Sequence, residues 1–204
     1  MLRTGLLCAV LGAFGIAQPS AAADFSDPTW PCIQRKVEQL SVGLMWPHPI
    51  DETPLEGEVA EDVSELAQRL ALRRLDLEAV RPDVEAFVAK HGADLTLLGH
   101  VYDQTFTSLA RTRRAIMEGI ADYSLSQIAL AERIEGARIE MNTLMDADEP
   151  DFDKVDALEA QVDWDERIYN DRRQSLTYVC ETPVLLEKRL FETAQMLLSV
   201  AEGG

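Results

Sequence analysis

The sequence predicts an all-α protein, in which a long antiparallel helical hairpin over 94–203 packs with shorter N-terminal helices into an elongated, coiled-coil-like bundle. Three observations predict this fold. Two stretches of about 50 residues carry apolar residues at steps of three and four, a short turn containing Pro150 separates them, and shorter amphipathic stretches precede them. At ~1.5 Å per residue, each arm would reach roughly 75 Å if straight.

The first 23 residues have the features of a secretory signal peptide. Arg3 supplies the positive start, residues 6–16 form an apolar run too short to span a bilayer stably, and residues 21–23 are small, as at a cleavage site. Cys8 lies inside the apolar run, so we expect it to leave with the signal. The sequence therefore predicts a periplasmic or secreted chain of one domain over 24–204; a retained N-terminal anchor is the alternative.

The chain is strongly acidic, with 19 Lys and Arg, 36 Asp and Glu, and a net charge of −17 at pH 7. Nucleic acids and anionic lipid surfaces bind positively charged faces, so this charge disfavours both as partners. No apolar stretch after the signal is long enough for a transmembrane span. The charge is compatible with a protein partner that is basic or membrane-associated, and with a homo-oligomer.

Two cysteines remain after signal removal, Cys32 and Cys180. In an oxidising compartment an isolated pair most simply forms a disulfide, which here would link the N-terminal region to the middle of the second arm. An intermolecular bridge or two free thiols are the alternatives. The absence of CxxC argues against thioredoxin-like redox chemistry.

Residues 24–57 are predicted to form a short helix followed by a proline-rich connector. The helix would begin near Pro31 and end at Gly43. In the connector, Trp46 and His48 stand between prolines, which would make a stiff, partly exposed platform for a partner. The alternative is that Trp46 fills a gap in the bundle while His48 faces water.

Two shorter helices should precede the hairpin. Apolar residues recur at helical spacing over 58–75 and again over 77–90, where Pro82 should kink or restart the helix. Gly92 then ends the second helix and Asp94 caps the first arm. The apolar faces of these helices need cover, and the hairpin supplies the only partner surface large enough.

The first arm carries two interleaved seven-residue repeats, of which eleven of thirteen positions are apolar: Tyr102, Leu109, Ile116, Tyr123, Leu130, Ala137 and Leu144, with Phe106, Arg113, Ile120, Gln127, Ile134 and Met141. The second arm repeats in the same way from Val155 and from Leu158. Four seam positions carry a charged or amide side chain: Arg113, Gln127, Asp165 and Arg172. Polar residues in a helical seam fix register and partner choice, unless their long side chains reach solvent.

The turn between the arms is rich in acidic residues. Pro150 is expected in the first turn of the second arm, with Asp148 or Glu149 before it. The turn lacks the glycine and glutamate of a calcium loop, so its acids are interpreted as helix caps. We expect the tip around Asp148 to stay free, which makes it a second candidate partner surface with the Trp46–His48 connector.

No catalytic motif is present. The three histidines lie in separate segments, and HExxH, GxSxG, Walker and GxGxxG patterns are absent. His48 with Asp51 and Glu52 would make a weak metal site at most. The sequence therefore predicts a non-enzymatic protein with no cofactor and no metal.

Among functions, the sequence favours a scaffold, adaptor or accessory subunit that works through protein–protein contacts, because long helical faces suit such contacts. A holdase-like periplasmic chaperone and a ligand- or metal-binding helical bundle are the alternatives. An enzyme is the least favoured class.

Overall fold

The computed structural model describes residues 27–203. Within that range the chain forms four α-helices and no strand: α1 (Gly57–Ala71), α2 (Arg81–His91), α3 (Leu95–Met145) and α4 (Phe152–Gly203). Single 3-10 turns lie at Val42–Leu44 and Glu78–Val80. The predicted signal peptide at 1–23, with Cys8, lies outside the described residues.

Helices α3 and α4 form the predicted hairpin. They pack against each other along their length, and the cluster Leu130, Ile134, Ala137 and Val162 fills the seam in its distal half. Asp94 caps α3 by accepting a hydrogen bond from the backbone N–H of Thr96 at 2.8 Å. The all-α hairpin bundle predicted from the seven-residue repeats is therefore confirmed.

The hairpin turn differs from the prediction by two residues. Helix α4 begins at Phe152, and the carboxylate of Asp151 accepts a hydrogen bond from the backbone N–H of Lys154 at 3.1 Å. Pro150 therefore precedes the helix and does not occupy its first turn. The side chain of Asp151 satisfies a backbone donor that the first turn leaves without a helical partner.

Helices α1 and α2 cover the open end of the hairpin, beside the first turns of α3 and the last turns of α4. Their buried residues join those of α3 and α4 in the main core, which includes Leu70, Val84, Leu98 and Leu197. Pro82 lies in the first turn of α2, and Gly92 ends that helix with φ of 86°. The predicted restart at the proline and stop at the glycine are both present.

The short helix predicted between Pro31 and Gly43 is wrong. That segment has no regular structure before the 3-10 turn at Val42–Leu44. Side chains take up its carbonyls: Trp30 Nε1–H donates to the carbonyl of Gln34 at 2.6 Å, and an N–H of Arg113 donates to that of Val37 at 2.5 Å. Because these bonds replace the helical pattern, the segment lies irregularly against the hairpin.

Cys32 and Cys180 form the predicted disulfide, with their Cα atoms 5.5 Å apart. Both cysteines are buried, in a cluster with Trp30, Met117 and Ile120. The bridge therefore fixes the irregular segment on the middle of the hairpin.

Helix α4 runs without interruption through Pro183, which is buried. A proline donates no hydrogen bond, so it removes the bond to the carbonyl of Val179, four residues earlier. Val179 is 42% exposed, and water can reach that side of the helix.

Candidate interaction surfaces

The connector does not place Trp46 on the surface. Its side chain is 1% exposed and stacks on Tyr102 of α3, with ring centroids 5.2 Å apart and an interplanar angle of 18°. His48 meets the edge of the Trp46 ring at 5.9 Å and is half-buried. The structure therefore matches the alternative in which Trp46 fills a gap in the bundle, because apolar cover against α3 stabilises the indole more than exposure to water.

The acidic residue beside that connector has a local role. The Asp51 carboxylate accepts hydrogen bonds from the backbone N–H and the hydroxyl of Thr53, at 2.9 and 2.7 Å, and these bonds hold the pKa of Asp51 below its usual value. Across residues 27–203, no group of three or more His, Cys, Asp or Glu side chains is arranged to hold a metal ion.

The polar seam residues divide into three buried side chains and one exposed side chain. Arg113, Gln127 and Asp165 are 3%, 9% and 4% exposed. Gln127 donates to the carbonyl of Tyr169 at 3.1 Å, which links the arms directly. Arg172 points to solvent, and only its backbone carbonyl takes part, as the acceptor of the Tyr123 hydroxyl at 2.9 Å.

Arg113 holds three parts of the chain together. Its guanidinium donates to the Glu187 carboxylate on α4 at 2.7 Å and to the Val37 carbonyl of the irregular segment. Neither arm alone offers both acceptors. The charged guanidinium of Arg113 therefore stabilises the fold from a nearly fully buried position.

Replacing Arg113 with alanine is expected to lower the free energy of unfolding by about 2–3 kcal/mol, because two charge-assisted hydrogen bonds disappear and Glu187 loses its partner. Urea unfolding followed by circular dichroism measures this loss. Arg114, its exposed neighbour, is the control, and Arg114→Ala should stay within about 0.5 kcal/mol of the parent. Equal losses in the two variants would contradict the assigned role.

Asp165 is the second buried charge in the seam. Arg133 on α3 donates to both of its carboxylate oxygens, at 2.8 and 2.6 Å. These hydrogen bonds, reinforced by the positive charge, hold the pKa of Asp165 below its ordinary value of 3.8. The side chain of Arg133 is 57% exposed, so the pair lies at the edge of the seam.

The lowered pKa makes this pair sensitive to acid. A carboxylate with a folded-state pKa below its unfolded value stabilises the fold above that unfolded value and loses this effect as pH falls through the folded pKa. The stability difference between the parent and Asp165→Asn should therefore be constant from pH 8 to about 5 and shrink below about pH 4. Urea unfolding over this pH range tests it, with exposed Asp163→Asn as control. A difference that persists unchanged to pH 3 would refute it.

Apart from its tip, the distal hairpin, residues 121–177, was not singled out by the sequence patterns. Helices α1 and α2 do not reach its distal core, and it exposes large apolar side chains on its outer faces. Trp164 is 61% exposed on the face of α4 that points away from α3. The others that are at least 39% exposed are Leu125, Ile128, Ile139, Met145 and Phe152.

The tip of this hairpin is acidic. Asp148 is exposed, as expected, and residues 146–156 contain six acidic residues and one lysine. That lysine, Lys154, pairs with Glu140 across the hairpin at 2.6 Å. The acids thus outnumber the local positive charge, and the potential at the tip favours a cationic partner.

The concave sites are modest. Four surface depressions of about 210 to 470 Å³ open onto solvent, and the smallest lies between α1 and α2 beside Asp62, Arg69 and Lys90. Its charges are used within the protein, since Lys90 pairs with Glu58 and Asp62 at 2.5 and 2.6 Å. The positive charges of this smallest depression are therefore already paired within the protein.

Comparison with family models, with curated proteins and with solved structures found no match to this chain. None of the helices within residues 27–203 combines the length and apolarity required to cross a bilayer.

Proposed function

We propose that this protein is an exported, non-enzymatic adaptor or scaffold that binds a protein partner through its distal hairpin. The observation that carries the proposal is the exposure of Trp164 on the outer face of α4. A tryptophan buries more apolar area than almost any other side chain when it enters a pocket, and it is enriched at the energetic centres of interfaces. At a solvent-exposed position, that apolar area stays in contact with water unless a partner covers it.

The shape of the hairpin supports a partner that docks along it. The two arms are held to each other by an apolar seam and by ion pairs between the arms, which include Arg133–Asp165 and Arg138–Glu166. The outer faces of the arms take no part in these contacts between the arms. A rigid pair of helices loses little conformational entropy on binding, which favours recognition of a helix or groove.

The charge of the tip supports a partner whose binding surface is apolar and flanked by Lys or Arg. The acidic residues of 146–156 would draw such a surface to the hairpin and raise the association rate at low ionic strength. A partner with an acidic rim would be repelled. Binding should consequently weaken as salt is added.

Export to the periplasm or out of the cell is part of the proposal. It rests on the signal-like sequence of residues 1–23 and on the Cys32–Cys180 disulfide, a bond that persists in oxidising compartments. Proteolysis of the surface of intact cells, with and without permeabilisation of the outer barrier, would test the location. Protection in sealed spheroplasts would contradict it.

The function is tested by site-specific photo-crosslinking in the source organism. A photoreactive phenylalanine at position 164 should give one crosslinked product of defined mass, because the side chain lies in the contact. The control places the same residue at Leu44, which is 85% exposed but lies on the connector. Crosslinks from position 44 alone, or none from position 164, would oppose the assignment.

A holdase-like chaperone is the second candidate, and the apolar residues on the outer faces of both arms are the observation that favours it. The crosslinking pattern separates the two functions. A chaperone would give a smear of many clients from position 164 and would suppress aggregation of an unrelated denatured protein, whereas an adaptor would do neither.

A further inference from the structure

The stretch of α4 between Tyr178 and Phe191 presents a second apolar surface, close to the body of the protein. Four apolar side chains on its outer face are exposed: Tyr178 by 75%, Val184 by 42%, Leu185 by 55% and Phe191 by 52%. Together with Glu181 and Lys188 they form what we name the α4 patch. The seam with α3 lies on the opposite side of the helix, where Leu186 and Leu190 are 1% and 0% exposed.

The arrangement of the α4 patch is symmetric along the helix. Glu181 and Lys188 are one seven-residue repeat apart and form its central column, while Val184 and Leu185 lie between them on either flank. The midpoint between Val184 and Leu185 is therefore also the midpoint between Glu181 and Lys188. Tyr178 and Phe191 lie at equal distances beyond, one at each end.

From this symmetry we infer that the α4 patch pairs with the same patch on a second copy of the chain, antiparallel, across a two-fold axis at that midpoint. Each Glu181 then faces Lys188 of the other copy, so two ion pairs form. Val184 and Leu185 of the two copies meet at the axis, with Tyr178 and Phe191 at the ends. Such a closed two-fold interface uses one patch twice.

Charge selects this arrangement over a parallel one. In a parallel pair Glu181 would face Glu181 and Lys188 would face Lys188, and like charges in contact are unfavourable. Lys188 is available for the antiparallel pair because its contact within the chain is a loose one, to Glu192 at 3.5 Å, with both side chains largely exposed.

The α4 patch and the distal tip also differ in their charge. The central column of the patch holds one acid and one base, whereas residues 146–156 hold six acids and one lysine. Two tips would repel each other, but two α4 patches would not. Self-association is therefore assigned to the patch, and this inference stands apart from the partner binding proposed for the distal hairpin.

Sedimentation velocity on the purified protein tests the dimer over a range of protein concentrations. The parent should form dimers as concentration rises. Leu185→Asp should remain monomeric under the same conditions, because it places two carboxylates at the axis. Leu44→Asp, at a side chain that is 85% exposed but lies outside the patch, is the control and should dimerise as the parent does. A parent that stays monomeric, or equal dimerisation of Leu185→Asp, would overturn the inference.

Charge exchange tests the antiparallel direction. Lys188→Glu places acids opposite acids and Glu181→Lys places bases opposite bases, so each variant alone should be monomeric. Mixed one to one, they restore both ion pairs and should form a heterodimer. Dimers in either single variant, or no heterodimer in the mixture, would refute the pairing. Circular dichroism of each variant serves as the control that these exposed substitutions leave the helices intact.

Discussion

Replacing both Cys32 and Cys180 with serine is expected to lower the free energy of unfolding by about 4 kcal/mol. The bridge joins residues 148 positions apart, so its loss releases a large closed loop and the conformational entropy of the unfolded chain rises. Both sulfurs are buried, and the serine hydroxyls that replace them would enter an apolar cluster. Urea unfolding of the double variant measures the loss.

The double variant should also loosen the irregular segment locally. Apart from the bridge, the irregular segment is held by few bonds to the hairpin, among them Ser124 donating to the Pro28 carbonyl at 2.6 Å and the Arg113 contact. Backbone amides over 30–44 should therefore exchange faster in the double variant. Reduction of the parent should reproduce both effects. An unchanged unfolding free energy, or two free thiols in the protein purified without reductant, would contradict the assigned bridge.

Replacing Trp46 with alanine is expected to cost about 3–5 kcal/mol, as is typical when a buried tryptophan is truncated. The indole is 1% exposed, and its position against Tyr102 and Gly99 leaves a cavity that backbone shifts can fill only in part. Thermal and urea unfolding measure the loss.

Leu44 provides the matched control for Trp46. It lies two residues away on the same connector and is 85% exposed, so Leu44→Ala should change stability by less than about 0.5 kcal/mol. If Trp46→Ala were as mild as Leu44→Ala, Trp46 would be a surface residue after all and the platform hypothesis would return.

The parts of the fold that the sequence predicted are those with local, periodic causes. The apolar repeats placed the hairpin, and Pro82, Gly92 and Asp94 marked helix boundaries through their own backbone chemistry. The disulfide followed from the small number of cysteines and the signal-like sequence of residues 1–23.

The parts that the sequence did not predict depend on contacts between distant residues. The segment after Pro31 has helical spacing, yet Arg113, some 76 positions away, takes the Val37 carbonyl. The position of Trp46 between prolines allowed both an exposed platform and a core residue, and the contact with Tyr102 of α3 decides between them. Neither contact leaves a signal within the segment itself.

Trp164 was within reach of sequence reasoning. It falls on neither seven-residue repeat of the second arm, which run through Val162 and through Asp165, so the same pattern that defined the seam placed it outside the seam. In a hairpin of two helices, a tryptophan outside the seam has no neighbouring helix of the same chain to cover it. The residues that the repeats leave outside the seam therefore point to the surface that we propose as the binding site.

The most direct test of the proposed function is the affinity of the crosslinked partner, once purified, for the parent and for Trp164→Asp, measured by isothermal titration calorimetry. The proposal predicts that the substitution weakens binding by at least about 30-fold, the effect of losing a residue at an energetic centre. Leu44→Asp should bind as the parent does. Equal affinity of the parent and Trp164→Asp would contradict the proposal that the distal hairpin is the partner-binding surface.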